Sequence, residues 1–132
     1  MSLLKTATNV ADFAAAARRR LPRVVWDYLD GGAEDETTLR DNRAGFERLK
    51  IMPRVLTGNA KRDQSVELFG TRFASPFMIG PTGLNGLFWP DADLALARAA
   101  ASADVGFALS TASNNSLEEV AATGPGTRWF QL

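Results

Sequence analysis

The 132-residue sequence contains neither cysteine nor histidine. Without cysteine there can be no disulfide, no thiolate nucleophile and no thiolate-ligated metal, and cysteine pairing gives no sign of the redox compartment. Without histidine the chain lacks the commonest metal ligand and the commonest side-chain base near neutral pH. Chemistry carried by these residues alone must use carboxylates, lysine, tyrosine, hydroxyls or a cofactor. Net charge is missing too, since fifteen Lys and Arg balance fifteen Asp and Glu. No overall basic field draws such a chain onto nucleic acid or anionic lipid, and no nucleic-acid partner is expected. No apolar run approaches the roughly 20 residues of a membrane-spanning helix. Arg18-Arg19-Arg20 follow the Ala-rich stretch, the reverse of a secretory signal's charge order. A cytoplasmic location is the expectation.

What is present has the balance of a soluble globular domain, with 45% hydrophobic and 23% charged residues. Residues 1 to 76 hold 13 basic and 10 acidic side chains, whereas 77 to 132 hold 2 basic and 5 acidic ones. The first stretch reads as a solvated helical leader over 1–64. Asn9 is a plausible N-cap with Asp12 in the first turn, and Val10, Phe13, Ala14, Ala17 and Leu21 recur at helical spacing over residues 10 to 20. Adjacent helical residues fan around the axis, so Arg18, Arg19 and Arg20 are read as solvent-facing. Pro22 suits the first turn of a second helix and Gly31-Gly32 its end. A third helix over 35–48 places Leu39, Asn42 and Phe46 on one face, with Pro53 as its stop.

From residue 65 the period changes. Ser65 to Phe69 and Arg72 to Ser75 flank Gly70-Thr71, which reads as a short hairpin over 65–76. Phe77-Met78-Ile79 is a buried strand feeding the tight turn Gly80-Pro81-Thr82-Gly83. Asp91 or Asp93 opens a helix through Leu94, Leu96, Ala97, Ala100 and Ala101, and Phe107 to Ser110 forms the next strand. Ser116 and Glu119 make a capping box for a short helix ended by Gly124-Pro125-Gly126, and Arg128 to Leu132 reads as a third strand.

Strand, helix, strand, helix, strand implies right-handed crossovers and a parallel sheet. Three parallel strands leave one face and both edges open, which is unstable as a finished domain. The fold class is therefore α/β, with 77–132 as the first strands and helices of a larger fold. Strand spacings of about 20 to 30 residues fit the repeat of a TIM (β/α)8 barrel.

Barrel and open-sheet enzymes place ligands at the carboxyl ends of their strands. Pro81, Thr82 and Gly83 lie there after the first strand, Ser110 after the second, and Gln131 in the third. Taken singly, a Pro/Gly turn is more often structural, a Ser a loop cap and a Gln a satisfied buried amide. Three polar groups from successive strand ends converging on one ligand are a stronger signal.

The stretches Leu21-Pro22-Arg23, Tyr28-Leu29-Asp30-Gly31-Gly32-Ala33-Glu34-Asp35-Glu36, Asn42, Phe46 and Pro53-Arg54 resemble the amino-terminal segment of the FMN-dependent 2-hydroxy acid dehydrogenases and oxidases. Pro76 to Pro90, Leu94 to Ala100, Leu109 to Asn114 and Trp129-Phe130-Gln131-Leu132 extend the likeness. Gly80 to Gly86, Trp89-Pro90 and Ser110 to Asn114 resemble the mandelate-oxidising branch in particular.

The resemblance implies FMN as cofactor and a small 2-hydroxy acid, mandelate- or lactate-like, as substrate. It implies that Tyr28 hydrogen-bonds the substrate carboxylate. Pro81, Thr82 and Gly83 would line the isoalloxazine, and Ser110 and Gln131 would bond its polar edge. Gly83, where the oxidases of the family usually carry Ala, leaves room beside the flavin and favours a bulky acid and a dehydrogenase habit. Trp26 and Phe88-Trp89 depart from the family pattern. The family's Lys, His base and substrate-binding Arg residues come from later sequence. The expectation is thus an amino-terminal fragment, inactive by itself, that partners the remainder of the same enzyme or a homo-oligomer. Peripheral membrane association is open to the full enzyme. A non-enzymatic truncated relative acting as an interaction or scaffold module is the alternative, and a flavodoxin-like domain suits the helical leader less well.

Overall fold

The computed structural model describes residues 6–58 and 61–132. The first five residues of the expected leader, and residues 59–60 within it, lie outside the described residues. The chain falls into two compact units, one ending at Gly58 and the other running to Leu132.

The first unit holds three helices, α1 (Val10–Arg20), α2 (Arg23–Asp30) and α3 (Thr37–Arg48). The Asn9 side chain caps α1 by accepting from the Asp12 N–H at 3.0 Å. Leu21 ends it in extended conformation (φ −81°, ψ 143°), because the ring of Pro22 disfavours helical backbone in the residue before it. Pro22 itself is the N-cap of α2, one position ahead of its expected place in the first turn, and its carbonyl accepts from Val25 and Trp26 at 3.0 and 2.9 Å. The third helix starts two residues later than expected, because Glu34 and Glu36 adopt left-handed backbone (φ 49° and 57°) in the turn that follows Gly31-Gly32. Its end at Arg48 falls where expected, but the cause differs. Leu49 is already extended, whereas a proline at 53 restricts only Met52, so Pro53 is not what stops α3.

The second unit begins with a hairpin of β1 (Val66–Leu68) and β2 (Thr71–Phe73). The register Val66↔Phe73, Glu67↔Arg72, Leu68↔Thr71 leaves Phe69-Gly70 as the turn, one residue earlier than expected. Two-residue hairpin loops match strand twist when both central residues have positive φ. Phe69 and Gly70 do so at 50° and 74°, while β-branched Thr71 is better placed in the strand.

Strands β3 (Met78–Ile79), β4 (Gly106–Leu109) and β5 (Arg128–Phe130) form a three-stranded sheet in the order β3-β4-β5, parallel at both pairings. Helices α4 (Ala92–Ser102) and α5 (Leu117–Ala121) make the crossovers. Ala97 and Ala100 of α4, Phe107 and Leu109 of β4 and Val120 of α5 form the buried core, with Ile79, Leu94, Leu96 and Val105 packed against it. The central strand is buried at every residue; β3 and β5 are not. The capping box at α5 is complete, since Ser116 Oγ accepts from the Glu119 N–H at 3.2 Å and Glu119 Oε2 accepts from the Ser116 N–H at 2.8 Å. This is an α/β arrangement of the kind that opens a TIM barrel. None of the described helices is long and apolar enough to cross a membrane.

Candidate functional site

Because β3, β4 and β5 are parallel neighbours, the residues that follow them share one edge of the sheet. Pro81, Thr82 and Gly83 follow β3, Ser110 directly follows β4, and Gln131 directly follows β5. The structure brings these five expected residues to the same carboxyl edge. Gln131 N–H donates to the Leu109 carbonyl at 2.9 Å, extending the β4–β5 ladder by one rung. That rung places the two side chains side by side. Ser110 Oγ donates to Gln131 Oε1 at 3.3 Å and accepts from the Ala112 N–H at 3.2 Å. Ser110 is buried, at 7% exposure, while Gln131 is exposed. Gln131 Nε2 makes no hydrogen bond with the described residues.

Gly83 sits against the loop after β4. A Cβ built on it would stand 3.0 Å from Ala112 Cβ and 3.7 Å from Ser110 Oγ. The expectation was that its missing methyl leaves room beside a ligand. In the structure the space on the Cβ side is taken by Ala112 instead, and the glycine lets the two loops approach. Leu84 N–H then donates to the Ala112 carbonyl at 2.9 Å. Beside Gly80, by contrast, a Cβ would meet nothing within 4 Å.

Four residues that organise this edge, Asn85, Asp93, Ser113 and Asn114, were missed by sequence reasoning as parts of a site. Asn85 opens a single 3₁₀ turn, Asn85–Leu87. Its Nδ2 donates to the Thr82 carbonyl (3.0 Å), to Thr82 Oγ1 (2.9 Å) and to Asp93 Oδ1 (2.6 Å). Of the two candidates for opening α4, Asp91 holds the N-cap position without a side-chain cap, while Asp93 turns into the interior at 1% exposure. Its other oxygen accepts from Ser113 Oγ at 2.6 Å. Asn114 Oδ1 also accepts from the Gly86 N–H at 2.9 Å. Asn85, Ser113 and Asn114 lie within stretches the resemblance singles out, but as Asn and Ser residues in loops they are explained by turn chemistry alone, and Asp93 by a helix start.

Tyr28 belongs to the first unit, near the end of α2, and is 58% exposed. A polar cleft in that unit is lined by Trp26, Asp27, Asp30, Glu36, Arg40 and Arg43, and Tyr28 is not among its walls. Among the described residues no three carboxylates gather in a way that would hold a metal ion.

The carboxyl edge suits a flat ligand with a polar rim. It offers glycine backbone for close approach, a hydroxyl and a primary amide side by side, and open space beside Gly80. The donor set is hydrogen-bonding and uncharged, and its chemistry is compatible with the polar edge of a flavin ring.

Known proteins resemble the chain over most of its length. The family described as FMN-dependent dehydrogenase matches residues 17–132. (S)-Mandelate dehydrogenase of Pseudomonas putida is 48% identical over 124 residues, which are 94% of this chain and 32% of that protein. Glycolate oxidase of Spinacia oleracea is 42% identical over 95% of this chain and 34% of its own length. Among solved structures, (S)-mandelate dehydrogenase described as a monotopic membrane protein superposes with a TM-score of 0.88 at 48% identity, covering 96% of this chain and 34% of that one. A mandelate oxidase complex with 3,3-difluoro-2-hydroxy-3-phenylpropionic acid gives 0.87 at 40% identity, over 96% and 38%. The chain thus spans about a third of the length of the relatives it matches.

Proposed function

The chain belongs to the FMN-dependent dehydrogenase family, and from that premise we propose that it forms one wall of the flavin site in an enzyme that oxidises a 2-hydroxy acid to the 2-oxo acid. The observation that carries the reading is the placement of Pro81, Thr82, Gly83, Ser110 and Gln131 after three adjacent parallel strands, with Ser110 and Gln131 in hydrogen-bond contact. FMN, when bound, supplies the electron acceptance that no side chain of this chain can provide. Around it, Pro81-Thr82-Gly83 would line the ring, while Ser110 and Gln131 would bond its polar edge through hydroxyl and amide. Tyr28 would donate its phenol proton to the substrate carboxylate, orienting the acid and stabilising its charge. The base that takes a proton from the substrate would come from outside these 132 residues, which hold no histidine.

The 48% identity to a mandelate dehydrogenase favours an aromatic or similarly bulky 2-hydroxy acid. The segments would divide into the helical leader (1–64), the hairpin (65–76) and the incomplete barrel (77–132), completed by the remainder of the same enzyme. In this reading the protein is cytoplasmic. Any membrane attachment like that named for the monotopic relative would be peripheral as far as the described helices go.

The test joins these residues to the remaining two thirds of the fold and follows flavin bleaching under anaerobic conditions with (S)-mandelate, lactate and glycolate. Bleaching by at least one acid, fastest with mandelate, is the expected result. A protein that binds FMN but is bleached by none of them would overturn the substrate class.

A further inference from the structure

The hydrogen bonds beneath the carboxyl edge converge on one side chain that touches none of the proposed ligand-facing atoms. Asp93 is the most deeply buried charged or polar residue described, at 1% exposure. No Lys or Arg pairs with it among the described residues. Burying a carboxylate without a cation opposes folding, and an apolar residue of similar volume usually serves stability better at such a place. Its position in the first turn of α4 offsets part of that cost through the helix dipole. The rest is met by two short hydrogen bonds, from Asn85 Nδ2 and Ser113 Oγ, each 2.6 Å.

Each bond leads in one step to the candidate site. Asn85 holds both the carbonyl and the hydroxyl of Thr82. On the other side, the Ser113 N–H donates to the Ser110 carbonyl at 3.1 Å, and Ser113 Oγ accepts from the Asn115 N–H at 3.0 Å. One carboxylate therefore joins Thr82 to Ser110 across two loops that are 20 or more residues apart in the chain.

We propose that Asp93 is a positioning residue of the flavin site, whose two oxygens hold the loop after β3 and the loop after β4 in register so that Thr82, Gly83 and Ser110 present one surface. The proposal rests on the reading that those residues face the flavin. Two other ties, Leu84 N–H to the Ala112 carbonyl and Gly86 N–H to Asn114 Oδ1, span the same loops. Loss of the Asp93 link should therefore shift the surface without unfolding the protein.

The experiment is a double-mutant cycle in the completed holoenzyme, using Asn85→Ala, Ser113→Ala and the pair. It is read by the FMN dissociation constant and by the visible circular dichroism of the bound flavin. If one carboxylate couples the loops, either single change cuts the link and the second adds little. Each single variant should then weaken FMN binding about five- to twentyfold and alter the dichroism, and the double should do little more than the worse single. Asp93→Asn should shift the dichroism the same way and lower kcat with KM for the acid within about twofold. If an Ala variant at 85 fails to fold, Asp93→Asn, Ser113→Ala and their pair form the cycle instead. Fold-changes that simply multiply would overturn the proposal, as would a lower Tm with FMN affinity and dichroism unchanged. Ser110→Ala separates the two ideas. If it leaves FMN affinity and dichroism unaltered, the proposed wall itself is wrong and the positioning role falls with it. If it alters them while the cycle is multiplicative, only the positioning role is lost.

Discussion

At Gly83 the consequence of adding one methyl group is steric and local. A Cβ there meets Ala112 Cβ at 3.0 Å, so the two loops must part by a few tenths of an ångström, and overpacking of this kind costs about 1 to 3 kcal/mol. Gly83→Ala should lower the unfolding free energy of the completed enzyme by about 1 kcal/mol, and adding Ala112→Gly should restore most of it. Denaturant unfolding of the two variants checks this, and failure of the second change to rescue the first would place the strain elsewhere. At Tyr28 the expected effect is on binding energy. Tyr28→Phe keeps the ring and removes one hydrogen bond to a carboxylate, which should cost roughly 1.5 to 3 kcal/mol of transition-state stabilisation. Steady-state kcat/KM with the preferred acid would show it as a fall of about ten- to 150-fold, whereas unchanged kinetics would leave Tyr28 a packing residue. What could be read at this scale was residue type at strand ends. The role of Asp93 could not, because Ser113 lies 20 residues away and only the folded sheet brings it within 2.6 Å.

Elements were legible where their signals are local. The capping box at α5 is written in two residues three apart, and both of its hydrogen bonds form. Glu119 is held below the ordinary carboxyl value of 4.5, first by the Ser116 N–H and then by the Ser116 hydroxyl, both of which bond the ionised form. A carboxyl whose folded pKa is depressed contributes its stability in full above the unfolded value. That contribution is lost as pH falls through the folded one. Stability differences between the wild type and Glu119→Gln should therefore be constant above about pH 5.5 and shrink steadily below pH 4.5. Urea unfolding across pH 3 to 7 would measure it, and a difference that is flat with pH would remove Glu119 from the cap. The hairpin turn was misplaced by one residue for the opposite reason. Its position depends on which residue takes positive φ within a paired register, Leu68↔Thr71, that composition does not specify. The end of α3 was likewise set by the backbone at Leu49 rather than by the conspicuous Pro53.

For the whole molecule, the apolar surface is only partly used. Phe77 (70% exposed), just before the first parallel strand, and Met78 (40%), its first residue, lie in the open, and all three helices of the first unit lack a buried residue. The 132-residue chain alone should consequently bind FMN weakly and leave 2-hydroxy acids unoxidised, since its wall supplies uncharged contacts and no anchor for the phosphate. Fluorescence titration with FMN, on material whose length is verified by mass spectrometry, checks this. Micromolar affinity with substrate-dependent bleaching would contradict it. The α/β class and parallel order were legible here because apolar strands alternating with capped helices admit few topologies.

The order β3-β4-β5 has a consequence for how such a sheet is made. Spatial order repeats chain order, so during synthesis each new strand adds to an edge that already exists, and no strand must wait for a later one to be inserted beside it. Growth is directional. The β4 amides, bonded within the sheet's centre, should be the first to gain protection from hydrogen exchange, while the outer edge of β5, which has no strand partner among the described residues, is the kind of edge on which a further strand can pair.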